Sequence, residues 1–410
     1  MKILVVCPHF TPDVAPTGTV MAHLVTPWVQ RGHEVQIVTS LPWYEHHRIE
    51  PGWSHRLVQH EKTPWGWITR LHPFPTDKTN IAARAVAFGG FSVMAGLVAS
   101  AAKFRPDVVF AMSPPISLGF SGWLAARRWR VPFVFNIQDV FPDVAIEVGA
   151  LTNPRVIRAA RAVERWLYRR SDAVTVLSQE LQQNVESKLG RATSTRVREL
   201  PNFVDTTAIQ PADRMTGYRS EFGLFDRTVV MYAGNLGYSQ SVEVLIEAAR
   251  RCADRDDVVF VVNGAGSSRA RLQELASGLD NVVWVGFQPA ERLNEVLASA
   301  DIHTVLLKQG LAASSVPSKT YSVLAAGRPV IASIDPGTEV DRVLKSSGGG
   351  VSCAPDDIDG FVHELRMLLD DPPRRQAMGR AARVWVESWA SPEVIAQRYV
   401  DLFRELVEGR

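Results

Sequence analysis

The sequence predicts an α/β fold class made of two doubly wound, Rossmann-like domains, and three observations predict it. Short runs rich in Val and Ile alternate with helical stretches, as in successive βαβ units. The runs are apolar on both faces, the pattern of parallel strands covered by helices on either side. The alternation restarts near residue 205, and 410 residues are more than one core ordinarily fills.

In the first domain, residues 3–7, 33–39, 107–112, 131–137 and 173–177 read as strands. Helices are expected over 19–31, where Gly32 stops the pattern, and near 81–104, 117–128 and 153–170. In the second domain, strands are expected at 229–233, 258–263, 282–285, 302–306 and 329–333, with helices over 241–251 and 268–277. A final helix is expected over 392–408. The expected organisation is a first domain over 1–200, a second over 205–385 and a C-terminal helix within 386–410, with a hinge at 199–205. Two such domains facing each other would leave a cleft beyond the carboxyl ends of their strands, where ligands of open parallel sheets bind.

Composition narrows the function classes. Hydrophobic residues make up 46% and charged residues 21%, the mix of a globular protein. A formal net charge of +2 gives no sign of bulk nucleic-acid binding. Cys7, Cys252 and Cys353 have no metal-type spacing and need no disulfide, so no metal is expected and a cytoplasmic, reducing compartment fits. The apolar run at 3–7 is too short for a signal segment.

The stretch 314–327 has a clear local logic. Pro317 suits the first turn of a helix and Gly327 its end. The free N–H groups and dipole of such a helix attract an anion, and Lys319 adds a full charge. Ser314, Ser315, Ser318, Thr320 and Ser322 add hydroxyls. The plain alternative is a capped helix with a surface lysine. Two glycine turns follow strands of the same domain, one at Gly234, Asn235 and Gly237 and the other at Gly264 and Gly266. Glycine permits close backbone approach. Neither turn completes G-x-G-x-x-G, which disfavours a nicotinamide dinucleotide, while three such turns together point to a nucleotide.

At these residues the chain resembles retaining glycosyltransferase family 4, with the GT-B fold, and within it the colanic-acid-biosynthesis branch. The resemblance runs through 2–6, 31–35, 106–109, 138–142, 232–237, 242–249 and 317–330, and rests on their order and spacing. It implies hexosyl transfer with retention from a nucleotide diphosphosugar to an acceptor hydroxyl, without a metal. The acceptor would be lipid-linked or a glycan, held by the first domain, and the process would be polysaccharide or glycolipid assembly. Closure of the domains on the donor would exclude water. The final helix would cross back onto the first domain. Gly18 and Thr19 would lie beside the donor phosphates.

The chain also departs from that pattern. Asn235 and Gln240 stand where many members carry Arg and Lys on the diphosphate. Ser314 and Ser322 stand where many carry two Glu. Lys319 then becomes the main countercharge for the leaving diphosphate, and catalysis rests on stabilising that group. Asp139, at the end of the strand 131–137, is the candidate facing the acceptor or anomeric centre; Gln138 stands where the family often has His. Its plain alternative is a turn aspartate. Asp143 is a weaker rival, and His9 lies at the end of the first strand. Two other readings share the fold: a sugar-nucleotide 2-epimerase, which needs no acceptor, and a non-catalytic sugar-nucleotide-binding protein.

Membrane contact is suggested by two helices. Residues 85–102 carry no charge but are rich in Ala, Gly and Ser, so a buried or interfacial helix is expected rather than a span. Near 155–170, Arg155, Arg158, Arg161, Arg165, Arg169 and Arg170 face the single acid Glu164. The plain alternative for that row is a solvated basic face; the sharper reading is a patch for anionic headgroups or a lipid pyrophosphate at the inner face of a membrane, with Trp65, Trp67 and Arg70 as further anchors.

Overall fold

The computed structural model describes all residues except 54–55, 76–80, 148, 150, 191–195, 238, 311–318, 356 and 410, and the side chains of 81, 82, 84, 85 and 147. The chain divides into two compact units. One is Met1–Pro201 joined by Pro392–Arg410, and the other is Asn202–Ser391.

The first unit holds eight described strands: β1 (Lys2–Val6), β2 (Glu34–Ser40), β3 (Val58–Thr63), β4 (Gly66–Leu71), β5 (Val108–Ser113), β6 (Phe133–Ile137), β7 (Ala173–Val176) and β8 (Val197–Glu199). Its helices begin with α1 (Pro16–Gln30), α2 (Ile81–Ser100), α3 (Leu118–Trp129), α4 (Asp143–Glu147), α5 (Pro154–Arg170) and α6 (Gln179–Leu189). The sheet order is β3-β4-β2-β1-β5-β6-β7-β8, so the order reverses between β1 and β5. Every pairing is parallel except β3 with β4, an antiparallel pair joined through Pro64 and Trp65. Ile3, Leu4, Val5 and Val6 are all fully buried, because helices cover both faces of β1.

The second unit holds β9 (Thr228–Ala233), β10 (Val258–Asn263), β11 (Val282–Val285), β12 (Ile302–Leu306), β13 (Val330–Ser333) and β14 (Gly350–Cys353). Its helices are α7 (Gly217–Glu221), α8 (Glu243–Arg251), α9 (Arg269–Leu275), α10 (Leu293–Ala298), α11 (Lys319–Ala325), α12 (Glu339–Ser347), α13 (Ile358–Asp370) and α14 (Pro372–Trp389). The order β11-β10-β9-β12-β13-β14 is that of a dinucleotide-binding sheet, and it reverses between β9 and β12.

The last helix, α15 (Pro392–Glu408), belongs to the first unit. It buries Tyr399 and Phe403 against Trp28 of α1 and Phe110 of β5, and the Trp28 indole donates to Ala396 O at 2.9 Å. The change of unit falls at Ser391/Pro392 rather than near 385, because α14 continues to Trp389.

The main difference from the sequence expectation is the β3–β4 hairpin. It extends the parallel core through β4, buried over 68–71, to an edge strand β3 of half-buried and exposed residues. Arg70 lies on β4 and is no membrane anchor. Its side chain is buried, donates to Glu61 Oε1 at 2.6 Å and to Thr11 O at 2.8 Å, and stacks over Trp53.

Candidate functional site

In the second unit, candidate residues gather at the carboxyl edge around the β9/β12 reversal. Parallel strands end there with their loops diverging, which leaves a crevice. β9 ends in Ala233 and passes into Gly234, whose φ is +148°. Lys319 opens α11, which follows β12 in the chain. Its Nζ sits 3.8 Å from the centre of the Tyr232 ring, and a Cβ at Gly234 would lie 3.8 Å from the same nitrogen. Lys319 is half-buried and has no carboxylate partner among the described residues. Burial of the ammonium pulls its pKa from the ordinary 10.5 down to about 7. Tyr232, itself pushed up by burial, donates its hydroxyl to Asn235 O at 2.7 Å and so fixes the ring under the lysine. The result is a cation on an aromatic face, poised for an anion at the glycine turn.

The glycines divide by cause. A Cβ at Gly264 would meet Gly234 O at 1.9 Å, and one at Gly266 (φ +157°) would meet Leu236 O at 2.4 Å. The β9 and β10 turns are therefore laced backbone to backbone, through Gly234 N to Asn263 O at 2.9 Å and Leu236 N to Ala265 O at 2.8 Å. Gly264 and Gly266 allow this close approach, and Gly234 alone borders Lys319. Asn235 is exposed at the turn. Gln240 Oε1 accepts from Gly237 N at 3.1 Å, so it braces the turn rather than standing free as a diphosphate ligand. Lys308, exposed just after β12, is a cation that sequence reasoning passed over; its N–H donates to Ser239 O at 3.0 Å and ties β12 to the β9 turn.

Within α11, Thr320 is buried, and its Oγ1 has no partner among the described residues. Ser322 is half-buried one turn from Lys319. Ser314, Ser315, Pro317 and Ser318 lie outside the described residues.

In the first unit, Gly18 is not in a loop: it lies in the first turn of α1, buried against the His9 and Asp13 backbone. The Thr19 hydroxyl donates back to Ala15 O at 3.3 Å, as a helix-interior threonine does. The better-formed feature here is one the sequence reading missed. His9 Nδ1 and Asp13 Oδ2 are 2.6 Å apart and buried, with the imidazole against Trp43 and Tyr44. Asp13 Oδ1 also accepts the Trp43 and Tyr44 N–H groups at 3.2 and 3.1 Å. The signal was the four-residue spacing of a His and an Asp after a strand.

Asp139 lies exposed just after β6, and desolvation by surrounding protein raises its carboxyl above the ordinary range. Behind it runs a buried polar chain. Gln138 Nε2 donates to Asn136 Oδ1 at 2.7 Å, and Asn136 Nδ2 donates to Tyr399 Oη at 2.9 Å and Thr175 Oγ1 at 3.0 Å. Gln138 is thereby anchored to α15. Asp143 is a structural residue, accepting Lys188 Nζ at 2.7 Å and Asn184 Nδ2 at 3.1 Å.

The whole chain then finds its counterpart among known proteins. The Glycosyl transferase 4-like domain matches residues 17–202, and Glycosyl transferases group 1 matches residues 227–371. A GDP-mannose-dependent alpha-mannosyltransferase of Mycobacterium tuberculosis is 30% identical over 68% of this chain and 70% of its own. The chain belongs to glycosyltransferase family 4. An Escherichia coli K12 protein named as a colanic acid biosynthesis glycosyl transferase, WcaI, is 25% identical over 98% of this chain and 100% of its own. Among solved structures, sucrose-phosphate synthase from Thermosynechococcus elongatus superposes with a TM-score of 0.71 at 17% identity, covering 100% of both chains. Anabaena HepE in complex with UDP gives 0.70 at 14% identity, covering 99% of this chain and 100% of that one. The two parallel sheets are those of a GT-B glycosyltransferase.

Proposed function

We propose that this glycosyltransferase moves a hexosyl residue, with retention, from a nucleotide diphosphosugar to an acceptor hydroxyl in surface-polysaccharide or glycolipid assembly. The observation that carries the reading is the Lys319 ammonium on the Tyr232 ring beside Gly234, at the β9/β12 crevice. A diphosphate there supplies the counter-anion the lysine lacks, and proton uptake by Lys319 offsets the charge that builds as the sugar departs. Gly234, Asn235 and Thr320 line the turn and helix start that would take the rest of the donor. Asp139 is assigned to the acceptor side, where a desolvated carboxylate favours taking up a proton. The relatives named for GDP-mannose and colanic acid support the donor class and the process.

The test is a thermal-shift screen against UDP, GDP, ADP and their sugars, followed by product analysis. Transfer with retained anomeric configuration supports the proposal. Donor conversion without an acceptor means an epimerase, and binding without turnover means a sugar-nucleotide-binding protein.

Peripheral contact with an anionic membrane at its cytoplasmic face belongs to the same reading. Among the described residues no helix is long and apolar enough to cross a membrane. α2 instead buries Phe91, Ala95 and Ala99 and leaves Val86, Val93 and Leu97 at 76%, 64% and 62% exposure. Beside them, Phe120 and Leu124 of α3 are exposed, and Phe120 stacks on Trp166 of α5 at 4.8 Å. All six arginines of α5 are exposed. Glu164 does not face them: it is buried, holding Lys188 Nζ at 2.6 Å. Among the described residues only Arg161 of the row has a carboxylate partner, Asp143 at 3.8 Å, and an apolar strip flanked by such a row of arginines matches an anionic interface. Cosedimentation with anionic vesicles at low salt should capture the protein and neutral vesicles should not; equal recovery with both refutes this part.

A further inference from the structure

The second unit also has a cavity away from the carboxyl edge of its sheet. It is a cleft of about 800 Å³ at the opposite edge, bordered by Thr228 at the start of β9, Asp301 just before β12 and Pro329 just before β13. Five arginines line it: Arg214, Arg328, Arg375, Arg380 and Arg383. Asp301 is the one acidic residue in the lining.

Asp301 cannot neutralise the set, because its oxygens are already taken. Oδ2 accepts Arg219 Nη2 at 2.5 Å and Val229 N at 2.8 Å, and Arg214 Nη1 lies 3.0 Å from both oxygens. Arg383 pairs with Glu387 at 2.7 Å. Arg328, Arg375 and Arg380 have no carboxylate within ion-pair distance among the described residues. Arg328 donates Nη2 to Ala212 O at 2.8 Å, and Arg375 donates Nη1 to Leu368 and Leu369 carbonyls at 2.5 and 2.8 Å. These bonds orient the guanidinium groups without cancelling their charge. Arg328 Nε is buried with no acceptor among the described residues. Desolvation holds Arg328 and Arg375 below the ordinary arginine range, with neighbouring arginines adding to the effect.

The wall of the cleft is built rather than fortuitous. A Cβ at Gly379 of α14 would meet Gly327 O at 2.1 Å, so α14 packs on the turn after α11 with no side chain between. Arg383 clamps this junction through Ala325 O at 2.7 Å, Ile209 O at 2.6 Å and Thr206 O at 2.8 Å.

We propose that this cleft binds a small phosphate-bearing anion, such as a sugar phosphate or an oligophosphate, at a site separate from the donor crevice. Three guanidinium groups without carboxylate partners, converging on one concave space, match the charge and the bidentate geometry of phosphate oxygens. The donor diphosphate is not the occupant, since Lys319 and the glycine turn lie at the other end of the strands. The proposal stands apart from the glycosyl-transfer reading.

Pyrophosphate and tripolyphosphate serve as probes in calorimetric titrations. Lys319→Ala removes the donor-side cation and should leave one saturable site for the probes. Arg380→Gln alters an exposed residue with no hydrogen bond or ion pair among the described residues, so it tests the site without threatening the fold. It should weaken that site by about tenfold, and Arg375→Gln combined with it should remove the site. Arg404→Gln, an exposed arginine of the first unit, controls for general charge. The proposal is overturned if Lys319→Ala abolishes all binding, or if Arg380→Gln weakens it no more than Arg404→Gln does.

Discussion

Lys319→Ala is the sharpest perturbation of the donor site, because it should move activity and stability in different directions. Burial holds the free ammonium near pKa 7 instead of 10.5. A bound diphosphate that restored the ordinary value would recover about 5 kcal/mol, at about 1.4 kcal/mol per pH unit. The side chain keeps some exposed surface, so screening brings the usable part nearer 3–4 kcal/mol, a loss of about 10²–10³-fold in kcat/KM on truncation. Stability follows the opposite sign. A lysine whose folded pKa is depressed costs stability below its unfolded pKa, and that cost fades as pH rises from about 7 towards 10.5. The alanine variant should therefore unfold at the same temperature as the parent, or higher, at pH 7. Donor affinity of the parent should also fall as pH rises above 7, since binding then requires proton uptake. The assays are initial-rate kinetics, thermal unfolding and pH-dependent donor titration. Unchanged kcat/KM in a folded variant, or pH-independent donor affinity across the neutral range, would refute the assignment.

Three further predictions test other parts. Asp139→Asn should flatten the acid limb of single-turnover transfer, because the parent loses its carboxylate as pH falls through a raised pKa; a normal rate and profile would make Asp139 a turn residue. Gly264→Ala, whose Cβ would overlap Gly234 O at 1.9 Å, should cost about 3 kcal/mol in denaturant unfolding; a loss below ~1 kcal/mol would mean the two turns are not tightly laced. Lys188→Ala strands Glu164, which is already raised by desolvation, and should cost about 3 kcal/mol. That cost should grow as pH rises through the raised Glu164 pKa, since the unpaired carboxylate must then ionise; chemical denaturation at acidic and alkaline pH checks the sign.

Much of the fold was legible because strand and helix signals are local. β10, β11, β12 and α15 fall on the residues their patterns mark, and the order of runs implies a parallel sheet in each unit. The β3–β4 hairpin was not legible, because its partly polar alternation at 58–63 lacks the apolar run that marks a buried strand. β8 is three residues long, too short for a periodicity to register. The site was partly legible. Lys319 and Gly234 come from the sequence, but Tyr232 was read only as part of the strand and of the motif 232–237, and its ring beneath Lys319 joins positions 87 residues apart.

By itself the sequence determined two α/β units, the family, and a lysine-bearing helix after a strand, since each rests on apolar runs, turn residues and motif order along the chain. Only the tertiary structure decided which charges are spent. Asp143 and Glu164 share Lys188, Arg70 is buried on Glu61, and Gln240 braces its own turn, while of the α5 arginines only Arg161 has a described carboxylate partner, Asp143, and three arginines at the amino edge of the second sheet have no carboxylate on them among the described residues. The reason is physical. Secondary structure follows from near neighbours, whereas the fate of a charge depends on which distant groups the packing brings within a few ångströms.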